Sequence, residues 1–512
     1  MQQENFVPTT NSVMDIYAES KIPGQIKRYR DLFQEFKTIY GFDPEFVARS
    51  PGRVNIIGEH IDYAGFPVLP MAVDRDCLIA VATTKLDSKV RLANVNPKFT
   101  RAEFSFVDKE RIVDIDDTVH EWTNYFKAGY KGMLESLKLD APVGMFCLMD
   151  GSVPSGAGMS SSSALVCTSS IATMIANKKC LSKNDIVQIA IASERYVGTN
   201  GGGMDQTASI MSHADAATFI EFHPKFITTP VHFPATLPAI SFVVANTMVV
   251  ADKVVSAPVC YNLRVVETKV AAMILANKLG LLSERPQTLK EVMDLFFAGS
   301  EEPKYATVTE RWIFRLGRML ELVEQFITQH DGYSLAEMAE AAGLSEDEIH
   351  ARFMSKYPVR ADVFHIYARA IHVYSEALRV VQFRDVCERN QDTVEDSQVV
   401  LHQLGRLMNE SQVSCRDNYH CSCKELDDLT LICRKAGAYG SRLTGAGWGG
   451  CTVSMVPEDQ EQEFIQRVKD EYFRPRFPDY TEEQLSNVIF SSRPSSGAFI
   501  YRKRTAINPY GG

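Results

Sequence analysis

The chain has 512 residues, which is long enough for two large domains or about three of ordinary size. Its formal net charge of -10 argues against a general binder of nucleic acids or of anionic membranes. The first residues are polar and acidic where a signal peptide needs a basic start, and no apolar run approaches the roughly 18 residues of a membrane span. We therefore expect a cytoplasmic protein.

The N-terminal part of the chain combines helical and extended patterns. Apolar residues at a helical period predict helices over 27–40, 122–134 and 186–196. The second helix carries Trp122, Tyr125, Phe126 and Tyr130, and aromatic residues at this spacing usually belong to a core, although one of them could flank an adenine ring. Short strands are predicted over 46–50, 78–83, 90–93 and 143–149.

A polar motif follows the first predicted strand, at residues 51–63. Its polar and charged members, which alternate with apolar residues, are Arg53, Asn55, Glu59, His60 and Asp62. Carboxylates beside a histidine offer the acceptors and the donor that bind the hydroxyl groups of a sugar. The alternative is a solvated turn with an Arg–Asp ion pair.

Residues 153–165 have the composition of a phosphate-binding loop. Gly156 and Gly158 let the backbone turn tightly, and Ser160–Ser163 open an apolar helix over 164–175. The N-terminus of such a helix attracts anions. The segment lacks the spacing of a Walker loop or a dinucleotide fingerprint, and a plain serine-rich helix cap is the alternative.

Two further segments are rich in glycine. Residues 197–206 end in Asp205, which would project from backbone packed close to a ligand, or would lie on a flexible loop. Residues 440–450 stand between a predicted helix and a strand over 451–456, where glycine lets another segment pack against the backbone. Together with the phosphate-type loop, they suggest phosphoryl transfer to a small hydroxyl compound.

The second half of the chain reads as a new unit from residue 240, with a helical stretch over about 289–387. Within it, residues 335–353 have the helix–glycine–helix form of a DNA-reading motif, but the second helix is acidic, which favours a structural helix pair. A small cysteine cluster also occurs in this half, with Cys415, Cys421 and Cys423 beside His420. Its Cys-x-Cys spacing has no second matching pair of cysteines, which favours ordinary buried thiols over a zinc site.

Residues 51–62, 154–164, 203–206 and 443–451 resemble the signature segments of the galactokinases, which belong to the GHMP small-molecule kinases. The resemblance implies an α+β, two-lobed fold with the active site in the cleft. It implies a ribosomal protein S5-like N-terminal lobe over 1–239 and a ferredoxin-like C-terminal lobe over 240–512, with a helical insertion at about 289–387. It also implies a monomer.

The same resemblance assigns residues to roles. Asp205 would be the catalytic carboxylate and Arg53 its partner. The expected sugar-binding residues are Arg53, Glu59, His60, Asp62, Gly202, Asp205 and Tyr261. The expected ATP-binding residues are Gly156, Gly158, Ser160, Ser161, Ser162, Trp122 and Lys253. Ser162 and Glu194 would lie near Mg²⁺. Met159 and Asp252 depart from the family's pattern, at the phosphate loop and at the nucleotide contact.

Within this family, residues 59–72, 160–167, 194–206 and 441–456 are most similar to the branch that acts on N-acetylgalactosamine. The resemblance therefore implies transfer of the γ-phosphoryl group of MgATP to the 1-hydroxyl of N-acetylgalactosamine, with galactose as the alternative substrate. Some relatives are catalytically weak sugar and ATP sensors that bind a transcriptional regulator. The intact Ser160–Ala164 segment, with Arg53 and Asp205, favours an enzyme.

Overall fold

Three β-sheets organise the chain in the computed structural model, which describes residues 5–116, 119, 121–198, 201–249, 258–300, 302–355, 359–391 and 396–503. Strands are numbered in chain order and given in their order across each sheet. The first sheet contains β1 (Thr9–Thr10), β13 (Phe499–Tyr501), β2 (Phe46–Ile57), β3 (Leu69–Thr84), β6 (Gly144–Gly151), β4 (Lys89–Asn94) and β5 (Ala102–Ser105). The second sheet contains β10 (Gly440–Thr444), β11 (Cys451–Pro457), β9 (Ile240–Asn246) and β12 (Ile489–Ser492). The third pairs β7 (Ala216–Glu221) with β8 (Ile227–His232).

The helices pack against these sheets and against one another. Those of the N-terminal part are α1 (Ile22–Tyr40), α2 (Trp122–Leu137), α3 (Ser161–Ala176), α4 (Lys183–Ser193) and α5 (Met204–Met211). The next are α6 (Tyr261–Lys278), α7 (Leu289–Ala298), α8 (Val308–Phe326), α9 (Leu335–Ala342), α10 (Glu346–Ile349) and α11 (Ile366–Arg389). The last are α12 (Ser397–Asp417), α13 (Lys424–Lys435), α14 (Glu461–Val468), α15 (Arg474–Arg476) and α16 (Glu482–Val488). None of the described helices combines the length and the apolar character needed to cross a membrane.

The predicted mixture of helices and sheets is confirmed, although several elements extend beyond their predicted limits. Strand β2 continues into the first half of the polar motif and ends at Ile57, and all of its residues are buried. Helix α3 begins at Ser161 and buries nearly every side chain, as its apolar composition predicts. The sequence patterns missed β1, β5, β7, β8, β12 and β13, and β10 occupies the first part of a segment interpreted as a glycine turn. Residues 289–387 are mostly helical, with α7–α10 and most of α11.

The last described strand returns to the first sheet. Phe499–Tyr501 lies between β1 and β2, parallel to β1 and antiparallel to β2. Strand β9, which begins at Ile240, lies in the second sheet between β11 and β12. A lobe boundary at residues 239 and 240 stays a prediction, since the sheet built from the N-terminal part includes a strand from beyond residue 490.

A buried ion-pair cluster joins α1 to the first sheet. Arg49 and Asp76 have no solvent exposure, and the Arg49 Nε donates to Asp76 Oδ2 at 2.7 Å. Arg28 donates to the other oxygen of Asp76 at 2.5 Å. Burial alone would raise the pKa of Asp76, but the charges of Arg28 and Arg49 outweigh it and lower that pKa. The Arg49 Nη1 also donates to the carbonyl oxygens of Ser496 and Gly497, just before β13.

We predict that Asp76→Ala lowers the free energy of unfolding by about 3–5 kcal/mol, because it leaves the Arg49 charge buried without its partner. Urea unfolding followed by circular dichroism measures the change. Asp31→Ala, which breaks the exposed Lys27–Asp31 pair of α1, is the control and should leave the midpoint unchanged. Equal midpoints for the two variants would contradict the prediction.

Candidate active site

A cavity of about 140 Å³ lies where the glycine-rich segments meet. Its walls come from separate parts of the chain, at 53–63, 158–163, 194–198, 201–206, 260–262 and 445–448. The predicted site residues that line it are Arg53, Glu59, His60, Asp62, Gly158, Ser160, Ser162, Glu194, Gly202, Asp205 and Tyr261. Segments far apart in sequence thus contribute to one site.

Four predicted nucleotide contacts are not among the lining residues. Gly156 and Ser161 belong to the phosphate loop but do not face the cavity. The Trp122 Nε1 donates to the Thr100 carbonyl at 3.3 Å, away from the cavity. Lys253, with the neighbouring Asp252, lies outside the described residues. The adenine contacts therefore stay predictions.

Arg53 joins the carboxylate of Asp205 to the phosphate loop. Its Nε lies 2.8 Å and its Nη2 2.7 Å from Asp205 Oδ1, and its Nη1 donates to the Gly158 carbonyl at 2.6 Å. Arg53 is nearly buried, whereas Asp205 keeps 26% of its side chain exposed. Asp205 also stands in the first turn of α5, where the helix dipole favours a negative charge. One guanidinium thus holds a partly exposed carboxylate beside the loop.

The phosphate loop is compact because glycines from two segments touch. A Cβ on Gly158 would lie 2.9 Å from the Thr444 carbonyl, and one on Gly450 would lie 2.9 Å from the Ala157 carbonyl. The prediction that the segment 440–450 allows close packing is confirmed. Ser160 adopts a left-handed φ of 57° at the start of α3, so the helix N-terminus opens directly beside the loop.

The polar motif of residues 51–63 leaves β2 through a sharp turn. Gly58 has a φ of 111° and His60 one of 62°, which turns the chain away from the sheet. The turn is closed by hydrogen bonds from Gly65 N to Asp62 O and from Phe66 N to Ile61 O, both at 3.0 Å. The motif is a buried turn, and the solvated alternative is wrong.

Glu59 accepts three hydrogen bonds although it is 1% exposed. Asn55 Nδ2 and Gly445 N each donate at 2.7 Å, to different oxygens of the carboxylate, and Arg442 Nη1 forms an ion pair with it. Burial raises the pKa of Glu59 to about 7, while Arg442 and the Gly445 N–H oppose the shift. Sequence patterns did not indicate Arg442, which is a buried cation on β10.

His60 is neutral and has a partner on each ring nitrogen. The Ala446 carbonyl, 2.8 Å from Nε2, can only accept, so Nε2 carries the proton. Nδ1 then accepts from the Tyr63 hydroxyl at 3.0 Å, and Tyr63 is 2.5 Å from the Tyr419 hydroxyl. Burial lowers the pKa of His60 to about 3. A sugar hydroxyl that reaches the imidazole must replace one of these partners.

Asp62 is a second carboxylate on the cavity wall. Burial, and then the charge of Asp205, raise its pKa to about 6, although the backbone N–H groups of Tyr63 and Met204 oppose the shift. Sequence reasoning missed Gln206, Cys260, Asn262, Ala446 and Trp448 as lining residues. Trp448 stands inside the third glycine-rich segment, which was the available signal.

The buried hydroxyls of Ser160 and Ser163 have no hydrogen-bond partner among the described residues. Both residues line the cavity, beside the N-terminus of α3. Unpaired buried donors are costly, and a phosphate oxygen would accept from them. Among the described residues, no cluster of three His, Cys, Asp or Glu side chains could hold a metal ion.

A carboxylate paired with an arginine beside a phosphate-type loop is the arrangement of a small-molecule phosphotransferase. Comparison with models of protein families agrees with this class. The GHMP kinases N terminal domain matches residues 124–213 and the GHMP kinases C terminal matches residues 400–474. The galactokinase galactose-binding signature matches residues 34–83.

Whole-chain relatives identify the family more closely. A galactokinase of Saccharomyces cerevisiae is 38% identical over 98% of both chains. One of Dictyostelium discoideum is 37% identical over 97% of this chain and 99% of its own. The chain therefore belongs to the galactokinase family of the GHMP kinases and is a sugar kinase.

Solved structures support the fold. A galactokinase of Lactococcus lactis, solved in complex with galactose, has a TM-score of 0.60 at 23% identity and covers 92% of this chain and 99% of its own. A mevalonate kinase of Methanococcus jannaschii has a TM-score of 0.50 at 16% identity, over 88% of this chain and 98% of its own. The two-lobed GHMP kinase fold is confirmed.

We predict that Gly202→Ala lowers kcat/KM for the sugar by about 10–100-fold, because small displacements at a site have effects of this size. The new Cβ would lie 2.6 Å from Tyr63 N and against the Asp62 carboxylate. Gly24→Ala in α1 is the control, since a Cβ there also meets nothing within 4 Å and Gly24 does not line the cavity. Steady-state kinetics measures both, and equal losses would contradict the prediction.

Proposed function

We propose that this protein transfers the γ-phosphoryl group of MgATP to the 1-hydroxyl of galactose. The observation that carries the proposal is the Arg53 guanidinium, which contacts Asp205 and the Gly158 carbonyl together. A group that accepts a hydroxyl proton and a phosphate-type loop are thereby held side by side, which is the arrangement that phosphoryl transfer to an alcohol requires.

Galactose is favoured over N-acetylgalactosamine by the relatives. The Saccharomyces and Dictyostelium proteins are named galactokinases, and the signature matched at residues 34–83 is described as galactose-binding. The sequence motifs alone favoured the acetamido sugar, but nothing in these comparisons indicates it. We therefore take galactose as the substrate and keep N-acetylgalactosamine as the competitor to be tested.

On the sugar side, the proposal uses the acceptors of the turn and of α5. Glu59, Asp62 and Asp205 all line the cavity, together with His60 and Tyr261. Buried carboxylates select ligands that carry hydroxyl groups over ligands that lack them, because a buried acceptor left without a donor is unfavourable. Gly202 lets the backbone approach Asp62 closely.

On the nucleotide side, the phosphates of ATP fit against the N-terminus of α3. The unpaired hydroxyls of Ser160 and Ser163 and the tight backbone at Gly158 suit an anion there. Ser162 and Glu194, which share the cavity wall, would hold Mg²⁺ together with phosphate oxygens. When bound, Mg²⁺ neutralises charge on the transferring phosphate.

In the proposed reaction, Asp205 accepts the proton of the 1-hydroxyl while that oxygen attacks the γ-phosphorus. The bond from the γ-phosphorus to the bridging oxygen breaks, and ADP leaves with the electron pair. Arg53 orients the carboxylate and offsets negative charge near the loop. Because the transition state of phosphoryl transfer is loose, this positioning and charge matter at least as much as the strength of the base.

Replacing the carboxylate tests the assignment. We predict that Asp205→Asn lowers kcat by about 100-fold or more, since the amide keeps the size and one oxygen for Arg53 but cannot take the proton. Galactose binding, measured by titration calorimetry, should persist. A kcat close to that of the wild type would contradict the role of Asp205.

The substrate is tested by measuring kcat/KM for galactose and N-acetylgalactosamine side by side at saturating ATP. We expect a ratio of about tenfold or more in favour of galactose, because a pocket fitted to a hydroxyl lacks room for an acetamido group. The opposite ratio would overturn galactose as the substrate. Binding of galactose and ATP without turnover would favour a sensor.

A further inference from the structure

The turn at residues 58–66, which we call the sugar turn, packs on its side away from the cavity against one face of helix α11. Gly58 N donates to Glu376 Oε1 at 2.9 Å, and His372 Nε2 lies 3.0 Å from the Glu59 carbonyl. A Cβ on Gly58 would lie 3.0 Å from Val380. The three helix residues are four apart in sequence, so they share one face. Neither His372 nor Glu376 lines the cavity.

The hydrogen bond from His372 has a fixed direction. The Glu59 carbonyl can only accept, so Nε2 carries the ring proton, and Nδ1 accepts from the Ser414 hydroxyl at 2.9 Å. Burial lowers the pKa of His372 to about 4, which keeps the ring neutral near pH 7. The Tyr419 ring packs against the imidazole with centroids 4.3 Å apart. The donor is thus held in one tautomer and one orientation.

Glu376 is a buried anion with partners on the turn, on α11 itself, on α12 and on β10. Its Oε1 accepts from Gly58 N and from the Ser411 hydroxyl at 2.6 Å. Its Oε2 accepts from Arg379 Nε at 2.8 Å, and Arg442 lies 3.6 Å away. Burial opposes ionisation, but the charges of Arg379 and Arg442 outweigh it and lower the pKa of Glu376 to about 2. Arg442 links this anion to the Glu59 carboxylate.

We propose that His372 and Glu376 are positioning residues for the sugar, which fix the backbone of Gly58 and Glu59 so that the Glu59 and His60 side chains face the cavity. The proposal rests on the sugar site proposed above. It gives α11, most of which lies in the helical stretch at 289–387, a part in substrate recognition. In the hydrogen bonds and ion pairs of the described residues, neither His372 nor Glu376 contacts the nucleotide side of the cavity, so the proposal predicts an effect on the sugar alone.

The test compares three variants by steady-state kinetics, with galactose and ATP varied in turn. His372→Ala removes the donor to the Glu59 carbonyl. His372→Gln keeps an N–H donor and an acceptor at similar reach, and should restore function. Tyr374→Phe is the matched control, because it removes another buried hydrogen bond of α11, from the Tyr374 hydroxyl to the Leu289 carbonyl at 3.0 Å.

We expect His372→Ala to raise KM for galactose about tenfold or more, with KM for ATP changed less than about twofold. His372→Gln should lie within about threefold of the wild type for both substrates. Tyr374→Phe should lower the melting temperature but leave KM for galactose unchanged. Equal rises in both KM values, no rescue by Gln, or an equal rise in Tyr374→Phe would each overturn the proposal.

The wild-type protein tests the proposed function separately. If the wild type does not phosphorylate galactose, the proposed reaction falls. Calorimetric Kd values for galactose and for ATP then replace the two KM values in the same three variants. A selective loss of galactose affinity in His372→Ala, restored by His372→Gln, supports the positioning role, and any other result contradicts it.

Discussion

Arg442 carries a full positive charge at a point without solvent exposure. Moving such an ion out of water costs several kcal/mol, so the fold has to supply acceptors around it. Strand β2 supplies the carbonyl oxygens of Asn55 and Ile56. The turn that follows it supplies the carboxylate of Glu59, and α11 supplies the carboxylate of Glu376. The charge is compensated only when β10, β2 and α11 are assembled together, and the sugar turn takes its shape from that assembly.

The glycine-rich segments also depend on contacts between parts of the chain that are distant in sequence. With no side chain between them, the backbone at Ala157 and Gly158 lies directly against that of Thr444 and Gly450. The phosphate loop is therefore fixed from the side of the second sheet, while Arg53 fixes it from β2. The loop is held by contacts to both sheets before any ligand binds, which limits how much ordering the binding of phosphate has to bring about.

Much of the site could be predicted from the sequence because its motifs are local. Arg53, Asp62 and Asp205 stand in short segments whose composition already indicates a site. Arg442 and Tyr419 could not be found in this way, since their roles depend on contacts to residues more than 350 positions away. The preference between two sugars cannot be predicted from local motifs either, because the space beside a sugar hydroxyl is shaped by side chains from several segments.

Strand β13 reaches the first sheet from the far end of the described chain. The Arg49 guanidinium donates to the Ser496 carbonyl across 447 residues of sequence. During synthesis from the N-terminus, the edge of β2 that β13 later covers stays unpaired until this late segment has left the ribosome. An unpaired edge is a template for other strands, so the nascent chain passes through a long period in which it is open to wrong partners. The first sheet is complete only after this late segment has been synthesised.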